Sequence, residues 1–566
     1  MSDETVTVPD ALVLLRELPD VDPADAQLAG TLVRRGAESG ERGVAILLAA
    51  LLVSRALRDG HSAITLPQLA RQAGDLQGAA GHAGLAALPL RDESWWRAQL
   101  GASPLVGDGT TRAPLVLHGA LLQLHRYYAA EQRIGGAIVR LLREPLVDGV
   151  PAFSIITGGP GTGKTTQVAR TLVAMVQQRP GVRVALAAPT GKAAARLTES
   201  IRLQVAAAGA ALQADDAVLR ALGGLEASTL HRLLRYSGDS DTFRRNAAEP
   251  LEHDLVVVDE ASMVDVLMLD ALLNALRPGA RLMLVGDHHQ LSSVEAGDVL
   301  GVLCRAAEEA GPGAPLHDAV TRLTTSWRFA SQAGIGAMAT ALLDGDGGAA
   351  VHAARDAAHG DVDLIEPASV RDALIAPVIP HLERCLAATT VEAALDALEA
   401  FRLLAPEREG RLGVRALNVA VERWLARHGR PVTEAWYHGR PVLVTANDYA
   451  TRVFNGDIGV TWKEDGNVAV HFRGIDGVIR KVAPGRLPSV ETAWAMTVHK
   501  SQGSEFDDVV VVLPQDESRV MSRELLYTAV TRARRCVTLL GTEAAVRAAA
   551  AQVVRRTSGL AAQLQG

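Results

Sequence analysis

Gly158, Gly159, Pro160, Gly161, Thr162, Gly163, Lys164 and Thr165 stand between a short apolar run, 153–157, and a stretch with helical periodicity. That order of residue types suits the binding of a triphosphate. Glycines let backbone N–H groups converge on a β-phosphate, the start of the helix adds positive potential, Lys164 bridges β and γ oxygens, and Thr165 ligates Mg²⁺. Thr166 extends the same nucleotide-binding set. A metal-bound triphosphate also needs a carboxylate at the tip of a neighbouring strand, and the run 255–258 leads into Asp259-Glu260-Ala261-Ser262. Asp259 is expected beside Thr165 as a metal ligand, and Glu260 as the general base that polarises the attacking water. A third apolar run leads into Gly286-Asp287-His288-His289-Gln290, where the Gln290 amide is placed to sense a γ-phosphate. His288 and His289 are expected to point apart and to pack or face solvent, since no partner cluster accompanies them.

Such residues act together only if the strands that carry them end at one edge. The runs 153–157, 182–188, 255–258 and 281–285 alternate with helical segments, a pattern that predicts a mostly parallel sheet covered on both faces. A second set, 401–404, 509–513 and 537–540, predicts a second α/β lobe. Within it the runs 441–446, 458–462 and 468–472, with Asn455-Gly456 and Asp465-Gly466 between them, read as tight hairpins of a small antiparallel barrel. Residues 1–115 have helical periodicity with Gly-rich joints, and 116–150 continue it as a helical connector. The predicted division is therefore 1–115, 116–150, a first lobe over 151–320, a second lobe over 321–436 and 489–566, and the barrel over 437–488.

At 566 residues the chain is too long for one hydrophobic core, which agrees with several domains. The net charge of −7 means that any nucleic-acid contact has to come from a local basic track or from backbone donors. Residues 1–115, with ten Arg and no Lys against fourteen acidic residues, are a poor surface for it. Cys304, Cys385 and Cys536 have neither disulfide nor zinc spacing, so a reducing cytoplasm is the simplest setting. The apolar run 43–53 is too short to span a bilayer and reads as a buried helix. Only five of the 57 basic residues are Lys, namely Lys164, Lys192, Lys463, Lys481 and Lys500, and three of these fall in motifs.

With the three nucleotide motifs in this order, the chain resembles superfamily 1 helicases of the RecD branch, over about 154–541. Further motifs carry the resemblance: Ala188-Pro189-Thr190-Gly191-Lys192-Ala193, Thr229-Leu230-His231-Arg232-Leu233-Leu234, Ser326-Trp327-Arg328-Phe329, Thr497-Val498-His499-Lys500-Ser501-Gln502-Gly503, and Leu526-Tyr527-Thr528-Ala529-Val530-Thr531-Arg532-Ala533-Arg534. The resemblance implies an α/β fold of two RecA-like P-loop lobes, with a helical partner-binding N-terminal domain and a small SH3-like β-barrel insertion. It implies an ATP- and Mg²⁺-dependent helicase moving 5′ to 3′ on DNA, working with RecB-like and RecC-like subunits on single-stranded and double-stranded DNA ends in double-strand-break repair. Arg328 and Arg532 look like arginine fingers contributed by the second lobe, and Glu505 is similar to a nucleotide-binding residue of the family. DNA is expected across Pro189, Thr190 and Lys192 on the first lobe and Thr497, His499 and Lys500 on the second, with His231 and Asn455 beside it. Such hydroxyl and backbone contacts grip phosphate without reading bases. The segment 235–250 resembles a strand-separating pin.

One departure from the family's pattern is plain. Relatives place a Gln about seventeen residues before the P-loop to read adenine; here 141–150 offers none, and Gln132 lies farther off. A second reading of the chain is therefore a regulatory subunit with a weakened nucleotide site, and a third is a P-loop enzyme acting on a small molecule. The motifs at 497–503 and 526–534 argue against the third. No nuclease-like carboxylate cluster is recognisable, so exonuclease activity is expected in a partner.

Overall fold

Strands made only of Val, Leu, Ile and Ala have two apolar faces to bury, and parallel sheets flanked by helices do this. The computed structural model describes residues 6–147, 149–238, 240–330, 333–366, 376–430, 432, 434–448, 450–474, 477–514 and 520–564. Its first lobe holds a six-stranded parallel sheet in the order Val320–Leu323, Phe153–Gly158, Arg281–Gly286, Leu255–Val258, Val184–Ala188, Ser228–Thr229. Successive side chains of a strand alternate between faces. Val256, Val258, Leu282 and Leu284 accordingly enter one core with the helices His125–Leu142, Val266–Ala275 and Val299–Ala310. Leu255, Val257, Met283 and Val285 enter another, under Lys164–Gln178 and Gly191–Leu212.

The second lobe is a five-stranded parallel sheet, ordered Val362–Ile365, Ala533–Leu540, Phe506–Val512, Phe401–Ala405, Ala495–Thr497. Between its last two strands in that order the chain inserts an antiparallel sheet of Ile479–Val482, Asn467–Arg473, Ile458–Glu464, Pro441–Val444 and Val490–Thr492. It has a small core of its own around Val442, Val470 and Phe472. Asp465-Gly466 is the expected two-residue turn, both residues at positive φ between the paired Glu464 and Asn467. Asn455-Gly456 is not: Pro441 pairs with Val460, so this dipeptide closes a long connection, 445–457, rather than a tight hairpin. Among the described residues the hydrogen-bonded order ends on Ile479–Val482 and Val490–Thr492, an open ladder.

The N-terminal region packs helices around Gly40–Arg58, in which every residue from 44 to 53 is at most 1% exposed. Among the described residues no helix is long and apolar enough to cross a membrane.

Three predicted boundaries move. The strands Leu115–His118 and Leu121–Leu124 join Val106–Gly107 and Ile64–Thr65 in a four-stranded sheet, so a helical connector starts only at His125. Short apolar runs such as Leu121-Leu122-Gln123-Leu124 suit either conformation, and periodicity alone does not separate them. Val320–Leu323 pairs with the P-loop strand and so belongs to the first lobe. The C-terminal tail leaves the second lobe: Leu560–Gln563 packs on His125–Leu142, and Leu560 is buried in the first lobe's core. The segment 235–250 does form a hairpin, Tyr236–Ser237 against Thr242–Phe243.

Candidate nucleotide and nucleic-acid site

The P-loop strand ends at Gly158, and Gly161 and Gly163 take positive φ of 72° and 89° before Lys164–Gln178 begins. Two of these glycines are also required by crowding. A Cβ on Gly158 would lie 2.4 Å from the Leu323 carbonyl oxygen, and one on Gly161 would lie 2.3 Å from the Arg328 Cβ. Lys164 Nζ curls over the loop, donating to the carbonyls of Gly158 (2.6 Å) and Gly159 (2.9 Å). Thr162 Oγ1 donates to Gly159 O at 2.9 Å, and Thr166 Oγ1 donates to Gln204, leaving Thr166 only its backbone N–H for a nucleotide.

Asp259 follows the strand Leu255–Val258, its N–H bonded to Ala187 O at 2.9 Å. Burial, and then the neighbouring Glu260 carboxylate, push Asp259 up to about 6, against the pull of the Glu260 N–H and Lys164. Glu260 itself is held at φ 52°, a strained conformation for a non-glycine residue. Two carboxylates crowded at a strand tip, with Lys164 near Asp259, suit a divalent cation, which would oppose the upward shift of Asp259; Asp259 and the Thr165 hydroxyl would hold it.

The second lobe closes this site. Tyr527 Oη donates to Asp287 Oδ2 at 3.0 Å and lies over Gly159, where an added Cβ would meet it at 2.9 Å. Gln290 is buried, its Nε2 donating to the same Asp287 oxygen at 3.0 Å while its Oε1 accepts from Arg532. Arg532 is buried too, donating through Nε to Thr528 O (3.1 Å) and through Nη1 to Ser504 O (3.2 Å); burial lowers its pKa, opposed by Glu260 and Glu505 nearby. Leu291 N–H donates to Thr528 Oγ1 and Leu291 O accepts from Gln502, so the segment after Gln290 is stitched to the opposite lobe.

Arg328 stands at the join of the lobes: Phe329 packs on the second lobe's core, while Trp327 N–H donates to Gly161 O at 3.0 Å and Ser326 Oγ to Pro160 O at 2.8 Å, which fasten this segment to the P-loop. The Arg328 guanidinium meets the second lobe through Glu505, at 2.8 Å. Burial alone would raise the Glu505 carboxyl, but the guanidiniums of Arg196, Arg328 and Arg534 hold it down to about 2. Sequence reasoning passed over Trp327, which is 74% exposed beside the P-loop, and also Tyr527 and Asp287 as a joined pair. An aromatic next to Arg328 was the available signal for the first; nothing local signals the second.

The expected DNA residues are only partly assembled. Thr190 caps its helix by accepting from Ala193 N–H, and its Oγ1 would lie 3.8 Å from a Cβ on Gly503, so the two halves of the track meet there. Pro189 and Lys192 flank it on the first lobe and are half-buried. Burial, then Arg402 and Arg196, push Lys192 down to about 8, with Asp457 of the insertion among the opposing charges. Asn455 is exposed two residues before Asp457. Thr497 accepts from Lys500 N–H, while Lys500 Nζ is paired with Glu491, and burial together with Arg556 lowers the His499 pKa. His231 lies apart, edge-on to Tyr236 at 5.2 Å and 6.0 Å from Phe243. His288 and His289 do not point apart: their rings lie 3.8 Å from each other, and His288 Nδ1 is 2.7 Å from Thr157 Oγ1.

Residues 20–122 match the family described as RecBCD enzyme subunit RecD, N-terminal domain; 150–296 match the AAA domain and 492–540 the UvrD-like helicase C-terminal domain. The RecBCD enzyme subunit RecD of Mycobacterium tuberculosis strain H37Rv is 41% identical over 583 residues, covering 96% of this chain and 95% of that protein. The ATP-dependent RecD2 DNA helicase of Deinococcus radiodurans is 36% identical over 389 residues, covering 67% of this chain and 46% of that one. A crystal structure of Bacteroides Pif1 bound to single-stranded DNA covers 76% of this chain and 94% of its own, at 16% identity and a TM-score of 0.38.

Proposed function

The chain belongs to the RecD family of RecBCD enzyme subunits, and we propose that it is the 5′-to-3′ motor of a RecBCD-type helicase–nuclease that processes double-strand breaks for homologous recombination. As a RecD-type protein it is an ATP-dependent DNA helicase. Its proposed partners are RecB-like and RecC-like subunits, the 20–122 domain giving the docking surface, and its substrates are ATP and DNA ends.

The observation that carries this reading is the seam: Tyr527, Thr528 and Arg532 of one lobe are hydrogen-bonded to Asp287, Leu291 and Gln290 of the other, directly over the P-loop. In the proposed mechanism Lys164 gives up the loop carbonyls for β- and γ-phosphate oxygens, and Glu260 orients and deprotonates the attacking water. Thr165 and Asp259 would hold Mg²⁺, which would supply neutralisation of phosphate charge. Arg328 leaves Glu505, and Arg532 turns from Gln290, to stabilise charge on the transferring phosphoryl group; Gln290 then senses the γ-phosphate. The exposed Trp327 indole offers the base a stacking face, which suits a chain lacking the expected upstream Gln. Loss of the γ-phosphate releases these groups, the lobes part, and the DNA held between 189–192 and 497–500 advances.

Lys164→Gln tests the motor directly. The variant is expected to lose DNA-stimulated ATP hydrolysis and 5′-to-3′ strand separation together; turnover equal to that of the wild type would leave a regulatory subunit as the better reading.

A further inference from the structure

Arg196 lies one helical turn beyond Lys192 on Gly191–Leu212, the helix whose first residues form the first lobe's share of the DNA track. Among the described residues its side-chain hydrogen bonds run to the other lobe. Its Nη1 donates to Gly503 O and its Nη2 to Glu505 Oε2, both at 2.9 Å. Gly503 ends the loop that carries Thr497, His499 and Lys500, and the lobes meet there: a Cβ on it would lie 3.6 Å from the Ala193 Cβ. Glu505 is the carboxylate that holds Arg328, the arginine standing against Gly161 of the P-loop. Glu505 thus binds Arg328 of the nucleotide site through Oε1 and, through Oε2, both Arg196 of the DNA helix and Arg534 of its own lobe.

We propose that Arg196 is a positioning residue that transmits DNA binding to the ATP site, its two-pronged hold on the 503–505 segment setting the place of the carboxylate whose other oxygen binds Arg328. This rests on the motor reading above. DNA bound across Thr190 and Lys192 and across 497–500 fixes the helix against that loop. The forked guanidinium then keeps Glu505 engaged from the DNA side, and Arg328 is released toward the γ-phosphate. Linkage makes the effect reciprocal: a nucleotide that draws Arg328 away from Glu505 leaves the carboxylate to Arg196 and Arg534, tightening the grip on DNA. A guanidinium suits this role because its planar fork reaches a carbonyl and a carboxylate at once, which an ammonium cannot do in one geometry. Arg196 is half-buried rather than enclosed, so its replacement leaves both lobe cores intact.

The test uses the full chain, with ATP turnover measured with and without single-stranded oligothymidylate, and oligothymidylate affinity measured without nucleotide and with a non-hydrolysable ATP analogue. Arg196→Ala is expected to cut the stimulation by DNA about fivefold or more and to shrink the affinity gain from the analogue by a similar factor, the size of ordinary coupling between sites. Its nucleotide-free DNA affinity is expected to stay within about twofold of the wild type, and Arg196→Lys to recover only part of the stimulation. Unchanged stimulation in Arg196→Ala overturns the inference. So does a fall in nucleotide-free DNA affinity large enough to account for the lost stimulation, since Arg196 would then be a plain DNA contact. A wild-type chain with no stimulation at all sinks the motor reading itself.

Discussion

The Tyr527 hydroxyl and the Asp287 carboxylate, 240 residues apart in the chain, form a buried hydrogen bond of 3.0 Å across the seam between the lobes. The same carboxylate oxygen accepts from Gln290, so the tyrosine, Gln290 and, through Gln290, Arg532 form one connected set. Removing the hydroxyl leaves Asp287 bonded to its own lobe only. Bonds to a buried charge contribute about 1.5–3 kcal/mol. Tyr527→Phe is therefore expected to lower DNA-stimulated kcat about tenfold with little change in KM for ATP; steady-state ATPase assays decide it, and an unchanged kcat removes Tyr527 from the coupling.

Trp327 is held by its backbone N–H on Gly161 while its ring stays in solvent. A ring fixed next to a phosphate loop has little to do for stability, since substitutions at exposed positions usually shift it by under about 0.5 kcal/mol. Stacking on a base is worth about 0.5–1.5 kcal/mol. Trp327→Ala should raise KM for ATP several-fold at an unchanged Tm; an unchanged KM excludes the indole from base binding.

Lys192 provides a pH prediction. Its folded-state pKa is lowered from 10.5 to about 8, so the ammonium deprotonates as pH rises through that value. Phosphate binding favours the charged form, and DNA affinity must fall as pH climbs above it. From pH 7 to pH 9 the loss is expected to be about tenfold, as for one group that must be protonated to bind. Arg in place of Lys192 does not titrate in this range and should flatten the dependence, measured by oligothymidylate titration at constant ionic strength.

His231, on the short helix Leu230–Leu233, packs with the exposed Tyr236 and the partly buried Phe243 of the short hairpin. If that hairpin splits the duplex, Tyr236→Ala with Phe243→Ala should slow unwinding of a forked substrate several-fold while single-strand-stimulated ATPase is kept. Parallel loss of both activities would place the cluster on the translocation track instead.

The sequence disclosed those parts of the molecule whose determinants are local. Leu255–Val258 is apolar on both faces and leads straight into Asp259, so the strand and the carboxylate at its edge were legible together. Val320–Leu323 was not, because an edge strand with Thr321 and Arg322 in it lacks the continuous apolar signature. Asn455-Gly456 has hairpin chemistry but sits at the end of a long connection, a choice made by which strands pair and not by the dipeptide. The tail is the extreme case: Arg556 donates to Ser293 Oγ and the carbonyls of Glu295 and Gly297, and Ser558 and Gly559 donate to the buried Glu131. No pattern within 552–564 reports partners more than 250 residues away. For the site, the P-loop, Asp259 and Gln290 were readable as motifs, whereas Glu505 as a shared counter-charge for Arg196, Arg328 and Arg534 exists only once both lobes are folded.

The proposed motor depends on a second-lobe arginine entering the first lobe's nucleotide site, and the rate of ATP hydrolysis by Arg532→Ala at saturating ATP and single-stranded DNA tests it most directly. An arginine that stabilises the transferring phosphoryl group is worth about 10³-fold or more in kcat, so a fall of that order with folding preserved by circular dichroism is expected. A variant whose kcat stays within about tenfold of the wild type would contradict it, on the same scale.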